Sequence, residues 1–261
     1  DSEQSAIGNQ LPSPIPADCW LLSAKPMSSK RYAQALTLVD RSKAYALTEA
    51  VAVLKQMPVA KFDETVELSA SLEIDPKKTD QVVRGTVVLP HGTGRTVRVL
   101  VFCKGEQELA AKRAGADVVG SNELIEKIQG GWLEFDVAIA TPELMRDVSK
   151  LGKILGPRGL MPNPKAGTVT DDVAKAILDV KQGKVEFKMD KLANLHVVIG
   201  KRSFEATKLE ENAKVLLVAI VRAKPSALKG AYLRRVSLSS TMSPGVPLDV
   251  QPFLEQDEAE E

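Results

Sequence analysis

Glu64-Thr-Val-Glu-Leu-Ser-Ala-Ser-Leu-Glu-Ile74 is the stretch on which the fold turns. Val66, Leu68, Ala70, Leu72 and Ile74 share one side and polar residues take the other, a period of two that marks a half-buried strand of an antiparallel sheet. Asp75-Pro76 ends it, and Val82 to Leu89 reads as its partner strand, closed by Pro90. Upstream, apolar residues recur at helical spacing from Lys30 to Val39 and from Thr48 to Gln56, with Thr48 as the expected cap.

Downstream the pattern changes. Val97 to Phe102, Asp117 to Val119 and Phe135 to Ala140 read as short apolar strands, separated by helices over Glu106 to Arg113 and Asn122 to Ile128. Thr141-Pro142-Glu143 opens a further helix with proline in its first turn. Short apolar strands alternating with helices imply a parallel sheet covered on both faces. A glycine- and proline-rich loop, Leu155 to Thr168, follows; Thr170 and Asp171 then cap a helix running to Gln182. After Gly183 the half-buried type returns, with strands at Val185 to Met189, Leu195 to Ile199 and Ala231 to Ser240 and a long helix from Leu209 to Ala223.

Antiparallel character thus flanks the α/β segment on both sides, as expected of one domain inserted in another. The expected fold class is a two-domain α/β chain: a split α+β domain (antiparallel sheet with helices) holding an inserted Rossmann-like α/β domain. The boundaries predicted are 30–92 with 184–250 for the first domain and 93–183 for the second. Gly92 and Gly183 mark the two crossings and form the expected hinge. Residues 1–29, rich in serine and proline, read as a disordered extension, and residues 251–261 as an acidic tail.

The net charge of +1 over 261 residues conceals an uneven distribution. Residues 1–24 carry −3 and residues 249–261 carry −6, so residues 25–248 hold +10. A basic body suits a polyanionic partner, although a solvated lysine-rich surface has the same composition. The longest apolar run, Val215 to Val221, is far below the roughly 20 residues of a membrane helix, so no membrane partner is expected. Cys19 and Cys103 have neither metal nor disulfide-framework spacing.

Catalytic chemistry finds little support. The turn Cys103-Lys104-Gly105-Glu106 has one glycine and an acid where a phosphate loop needs closely spaced glycines. His91 and His196 lie in separate segments, with no cysteine or carboxylate at ligand spacing. His196 alternates within a strand and reads as hydrogen-bonded structure; Cys103 reads as a small core residue, and Glu210-Glu211 as solvated charge. No catalytic residue, metal or cofactor is expected.

Two segments stand out instead. Lys61-Phe-Asp-Glu-Thr65 puts an aromatic and a polar cluster just before a strand, and Ser239-Ser-Thr-Met-Ser-Pro244 puts hydroxyls, a methionine and a tight turn just after one. Side by side, these strand ends would offer hydroxyl and backbone donors beside two apolar contacts. Such a surface suits an irregular RNA shape with its 2′-hydroxyls and phosphates. The loop around Arg158 and Lys165 fits either an RNA contact or a rigid cover on the inserted domain.

At these segments the chain resembles the ribosomal protein L1 family. The resemblance rests on Ala60-Lys-Phe-Asp-Glu-Thr-Val-Glu67, Val83-Arg-Gly-Thr-Val87, Leu89-Pro-His-Gly92, Ala114-Gly-Ala-Asp117, Phe135-Asp136, Ala140-Thr-Pro-Glu143, Lys153 through Val169, Lys224-Pro225 and Thr241-Met242. It covers about Lys30 to Val250. It implies two hinged domains and a non-catalytic constituent of the large ribosomal subunit in the bacterial cytoplasm, an organelle being the alternative. It also implies binding to the mobile rRNA stalk beside the tRNA exit site, help in releasing deacylated tRNA, and repression of the protein's own messenger RNA. The protein is expected to be a monomer outside the ribosome.

The residues to which the resemblance assigns RNA binding are Phe62, Thr65, Thr241 and Met242, with Lys61, Glu64, Asp190 and Ser243 beside them. Two positions depart from the pattern: Ser243 replaces the usual glycine after Thr-Met, and Arg235 replaces a small serine. A side chain at 243 is costly if the turn needs positive φ, and Arg235 would add a phosphate contact. The rival readings are a free regulator of messenger RNA and a nucleotide-dependent enzyme.

Overall fold

A computed structural model describes residues 29–253, apart from 41, 77, 79–80, 226–227 and 229–231. The extension predicted for 1–29, but for Ser29, and the tail beyond 253 lie outside the described residues. Helices α1 (Lys30–Thr37) and α2 (Leu47–Gln56) lead into strands β1 (Thr65–Leu72) and β2 (Arg84–Val88). The middle of the chain runs β3 (Val99–Phe102), α3 (Glu106–Arg113), β4 (Val118–Gly120), α4 (Asn122–Gln129) and β5 (Val137–Ala140), then short helices α5 (Met145–Val148) and α6 (Gly152–Leu155). After the proline-glycine loop come α7 (Val173–Gln182), β6 (Lys184–Lys188), β7 (Asn194–Lys201), α8 (Ala206–Arg222), β8 (Leu233–Ser240) and β9 (Val246–Leu248).

The fold is mixed, as the alternation predicts: an antiparallel sheet ordered β7-β1-β8-β9 and a parallel sheet ordered β4-β3-β5, with a separate β2-β6 ribbon. The apolar residues of β1, β7 and β8 meet α2 and α8 in one core drawn from both ends of the chain. Helix α8 contributes Leu209, Ala213, Leu216, Leu217 and Ile220, an i, i+4, i+7, i+8, i+11 stripe that faces inward. The parallel sheet has a core on each face, one against α4 to α6 and one against α3 and α7.

Several local expectations are corrected. The strand at Val82 to Leu89 does not pair with β1; its core, β2, pairs with β6, while β1 has β7 on one edge and β8 on the other. All three of these strands bury an alternating face against the same two helices, and that shared burial outweighs chain proximity. Thr48 lies inside α2, whose N-cap is Ala46 with no side-chain hydrogen bond. The helix after Thr170 begins at Val173, and neither Thr170 nor Asp171 caps it with a side chain. The last strand is β9, paired with β8, which the sequence reading missed because three residues carry too little periodicity.

The chain passes between the two sheets where Gly92 (φ +65) meets Gly183 (φ +104), and a Cβ on Gly183 would overlap the Gly92 backbone. Gly183 also ends α7 in the left-handed conformation. Asn212 of α8, fully buried, pins one side of this crossing: its Oδ1 accepts the His91 N–H at 3.1 Å, and its Nδ2 donates to Gly92 O at 3.0 Å and Ile199 O at 2.8 Å.

Candidate nucleic-acid interface

β1 begins at Thr65 and β8 ends at Ser240, and the register places Val66 opposite Ser240. One residue further, the threonines close the sheet edge: the Thr65 N–H donates to Thr241 Oγ1 at 3.0 Å, and the Thr241 N–H donates to Thr65 O at 3.1 Å. On the other side Lys201 stands opposite Thr65, its ammonium 2.9 Å from Thr65 Oγ1. Three strand ends therefore meet in one small area, carrying Lys201, Thr65 and Thr241.

Two segments project from that edge. Phe62 (53% exposed) lies three residues before Thr65, and Met242 (49%) directly follows Thr241. Phe62 and Met242 thus belong to the two segments that flank the joined strand ends, and Lys61, also exposed, adjoins Phe62. Val59, exposed at 68%, adds an apolar side chain that motif reading passed over. The Ser240–Pro244 turn is closed by Ser243, whose Oγ accepts the Ser240 N–H at 2.8 Å and whose N–H donates to Ser240 O at 3.1 Å. Among the described residues Ala193 is the one non-glycine with positive φ, so the strain expected at Ser243 does not arise. Its hydroxyl builds the turn instead.

Glu64 is not part of the exposed surface. At 1% exposure it cannot touch a macromolecule, and its carboxylate is spent internally. Oε1 accepts the Ala60 N–H at 3.0 Å; Oε2 accepts the Ser240 hydroxyl and lies 3.4 Å from the Arg202 guanidinium. Arg202 donates also to Pro58 O and Lys55 O, both at 3.3 Å, and to Met57 O. Arg202 and Lys201 carried no signal as a pair, since two cations after a strand read as a solvated turn.

Asp190 is not brought to this edge. It sits in the β6–β7 turn, where its Oδ1 accepts the Leu192 and Asn194 N–H groups at 2.8 Å each. Those bonds, Asn194 first, hold its carboxyl below the usual aspartate range. Asn194 faces Ser71, whereas Lys201 faces Thr65, so about 23 Å of strand separates the two ends. Arg235, opposite Ser71, lies toward Asp190 and not toward Met242. Between the ends runs the face of the sheet turned away from the helices, with Glu67, Ser69, Ser71, His196, Ser237 and Ser239 half-buried or exposed. His196 pairs there with Ser69 Oγ at 3.1 Å, the hydrogen-bonded role expected of it.

Residues 54–244 match the ribosomal protein L1p/L10e family. This chain belongs to that family. It is similar to a protein of Kosmotoga olearia named large ribosomal subunit protein uL1, 57% identical over 230 residues that cover 88% of this chain and all of the relative. A protein of the same name from Saccharopolyspora erythraea is 57% identical over 221 residues, 85% of this chain and 93% of the relative. As a member of a family of ribosomal proteins, the L1 chain is a structural protein and not an enzyme.

The side chains weighed for catalysis have structural positions in this L1 protein. Cys103 is buried at the end of β3, and that burial pushes its thiol up to about 11, so little thiolate exists near neutrality. His91 does meet a carboxylate, Glu211 Oε2 at 2.5 Å, which corrects the reading of Glu210-Glu211 as purely solvated charge. No group of three or more metal-ligating side chains occurs among the described residues, and no described helix is long and apolar enough to cross a membrane.

Proposed function

We propose that this L1 protein is a constituent of the large ribosomal subunit that grips rRNA through the edge formed by Thr65 and Thr241. The observation that supports this is the reciprocal pair of hydrogen bonds between those threonines, which joins the strand ends flanked by the exposed Phe62 and Met242. Threonine hydroxyls and the Lys201 and Lys61 ammonium groups supply donors for phosphate and 2′-hydroxyl. The exposed ring and thioether supply stacking and apolar contact to unstacked bases. Met242 and Thr241 stand on a turn tied down by Ser243, so little conformational entropy is lost on binding.

The RNA is the mobile stalk beside the tRNA exit site, and the bound protein assists release of deacylated tRNA. A stalk-like element in the protein's own messenger RNA competes for the same edge and makes the protein a repressor. The division into 30–92 with 184–250 and 93–183 supports this role, with Gly92 and Gly183 as the hinge. Positive φ at both glycines and their direct contact favour that assignment, since any side chain there would obstruct rotation.

The test is filter binding of Phe62→Ala/Met242→Ala to an in-vitro transcript of Kosmotoga olearia large-subunit rRNA, with thermal melts to establish folding. Loss of binding is expected; unchanged binding by folded protein defeats the assignment. Co-sedimentation with large subunits at moderate salt separates a resident subunit protein from a free messenger-RNA regulator.

A further inference from the structure

We infer that Arg202 is a positioning residue for the RNA edge, holding residues 57–65 so that Phe62 and Thr65 stand in register with Thr241. The inference rests on the RNA-binding reading above and adds to it a residue that does not itself touch RNA: the Arg202 side chain is 7% exposed.

The segment between α2 and β1 has no regular secondary structure, and α2 ends in carbonyls with no partner in the helix. Arg202 takes these in hand. One guanidinium nitrogen donates to Pro58 O and Glu64 Oε2, the other to Lys55 O and Met57 O. The Arg202 N–H also donates to Glu64 O at 2.8 Å. Both flanks of Phe62 are therefore fixed by one side chain, Pro58 before the ring and Glu64 after it.

Neighbours extend the hold. Ser203 donates to Asp63 through its N–H at 3.2 Å and its hydroxyl at 2.8 Å, and Lys201 donates to Thr65 Oγ1. The same Glu64 carboxylate accepts the Ser240 hydroxyl, one residue before Thr241. A single buried cation thus governs the strand end that carries Thr65 and the one that leads to Met242. Four acceptors in two directions suit a planar fork with five donors, and a lysine ammonium cannot span them.

The alternative is a buried ion pair that stabilises the core and leaves the edge indifferent. The two are separated by the full chain binding the Kosmotoga olearia rRNA transcript, with Arg202→Lys and Phe62→Ala made singly and together. Arg202→Lys should weaken binding by roughly tenfold when assayed far below its melting temperature. In the Phe62→Ala background it should cost less than about threefold more, because residues that act through one backbone segment couple. A purely structural role would lower the melting temperature and subtract the same factor in both backgrounds.

Should Arg202→Lys fail to fold, Ser203→Ala, on the exposed arm of the hold, carries the test. It should weaken binding by about twofold to threefold at unchanged melting temperature, again only while Phe62 is present. Wild-type binding by folded Arg202→Lys, full additivity with Phe62→Ala, or, in the fallback, wild-type binding by Ser203→Ala overturns the inference. Unchanged binding by Phe62→Ala alone overturns the RNA edge itself, and this inference with it.

Discussion

The two ends of β1 are built from similar materials and put to opposite uses. Each has an acid in a turn or loop, Glu64 at one end and Asp190 at the other, and each exposes apolar side chains. Glu64 is buried against Arg202 and joins segments far apart in the chain, whereas Asp190 is exposed and its hydrogen bonds stay within four residues of itself. At the Glu64 end Val59, Phe62 and Met242 are all exposed; in the turn 190–193 itself Leu192 is the exposed apolar side chain, at 77%. An exposed apolar side chain on a turn is ordinary, while several such groups around fixed polar donors make a contact surface. The difference is made by what lies beneath the turn.

The strongest way to break this comparison is to remove the buried acid. Glu64→Ala leaves Arg202 uncompensated in the interior and should cost about 3–5 kcal/mol in urea unfolding; a loss below about 1 kcal/mol would make the two acids equivalent. Next, Phe62→Ala and Met242→Ala should each weaken rRNA binding by about 1–3 kcal/mol in a filter assay. Leu192→Ala, at a residue more exposed than either, should leave binding within about 0.5 kcal/mol of wild type, and an equal loss would show that the edge is not special.

Smaller effects sharpen the picture at the Asp190 end. Ala193 has φ 60, a conformation that costs an alanine roughly 1–2 kcal/mol. Ala193→Gly relieves that strain and should raise stability by up to about 1 kcal/mol after the added chain entropy is subtracted. The smallest effect is on pH dependence. Because the Asn194 and Leu192 N–H groups lower the Asp190 pKa, its contribution is present above the ordinary aspartate range and disappears as pH falls through the lowered value. Asp190→Asn should therefore lower the melting temperature slightly near neutrality and flatten the acid limb, the two profiles converging at low pH.

Much of this architecture is legible from residue order. The alternation of Val66, Leu68, Ala70 and Leu72 predicts a one-sided strand, and the apolar strands from Val99 to Ala140 predict a parallel sheet between helices. These are local properties, because side-chain direction repeats every two residues in a strand and about every 3.6 in a helix, wherever the segment ends up. Glycine at 92 and 183 is legible for the same reason, since backbone freedom belongs to the residue. The motifs around Phe62 and Thr241 resemble the L1 family without any knowledge of how they meet.

Tertiary structure decided the rest. That β1 takes β7 and β8 as neighbours in place of β2 depends on segments more than a hundred residues away. Whether a charged residue is surface or interior depends on those same distant segments, so nothing near Glu64 announces its burial and nothing near Arg202 announces its partner. The separation of Asp190 from Thr65 follows from strand length and register together. Periodicity is written into the chain, whereas the environment of a charge exists only after remote pieces have packed around it.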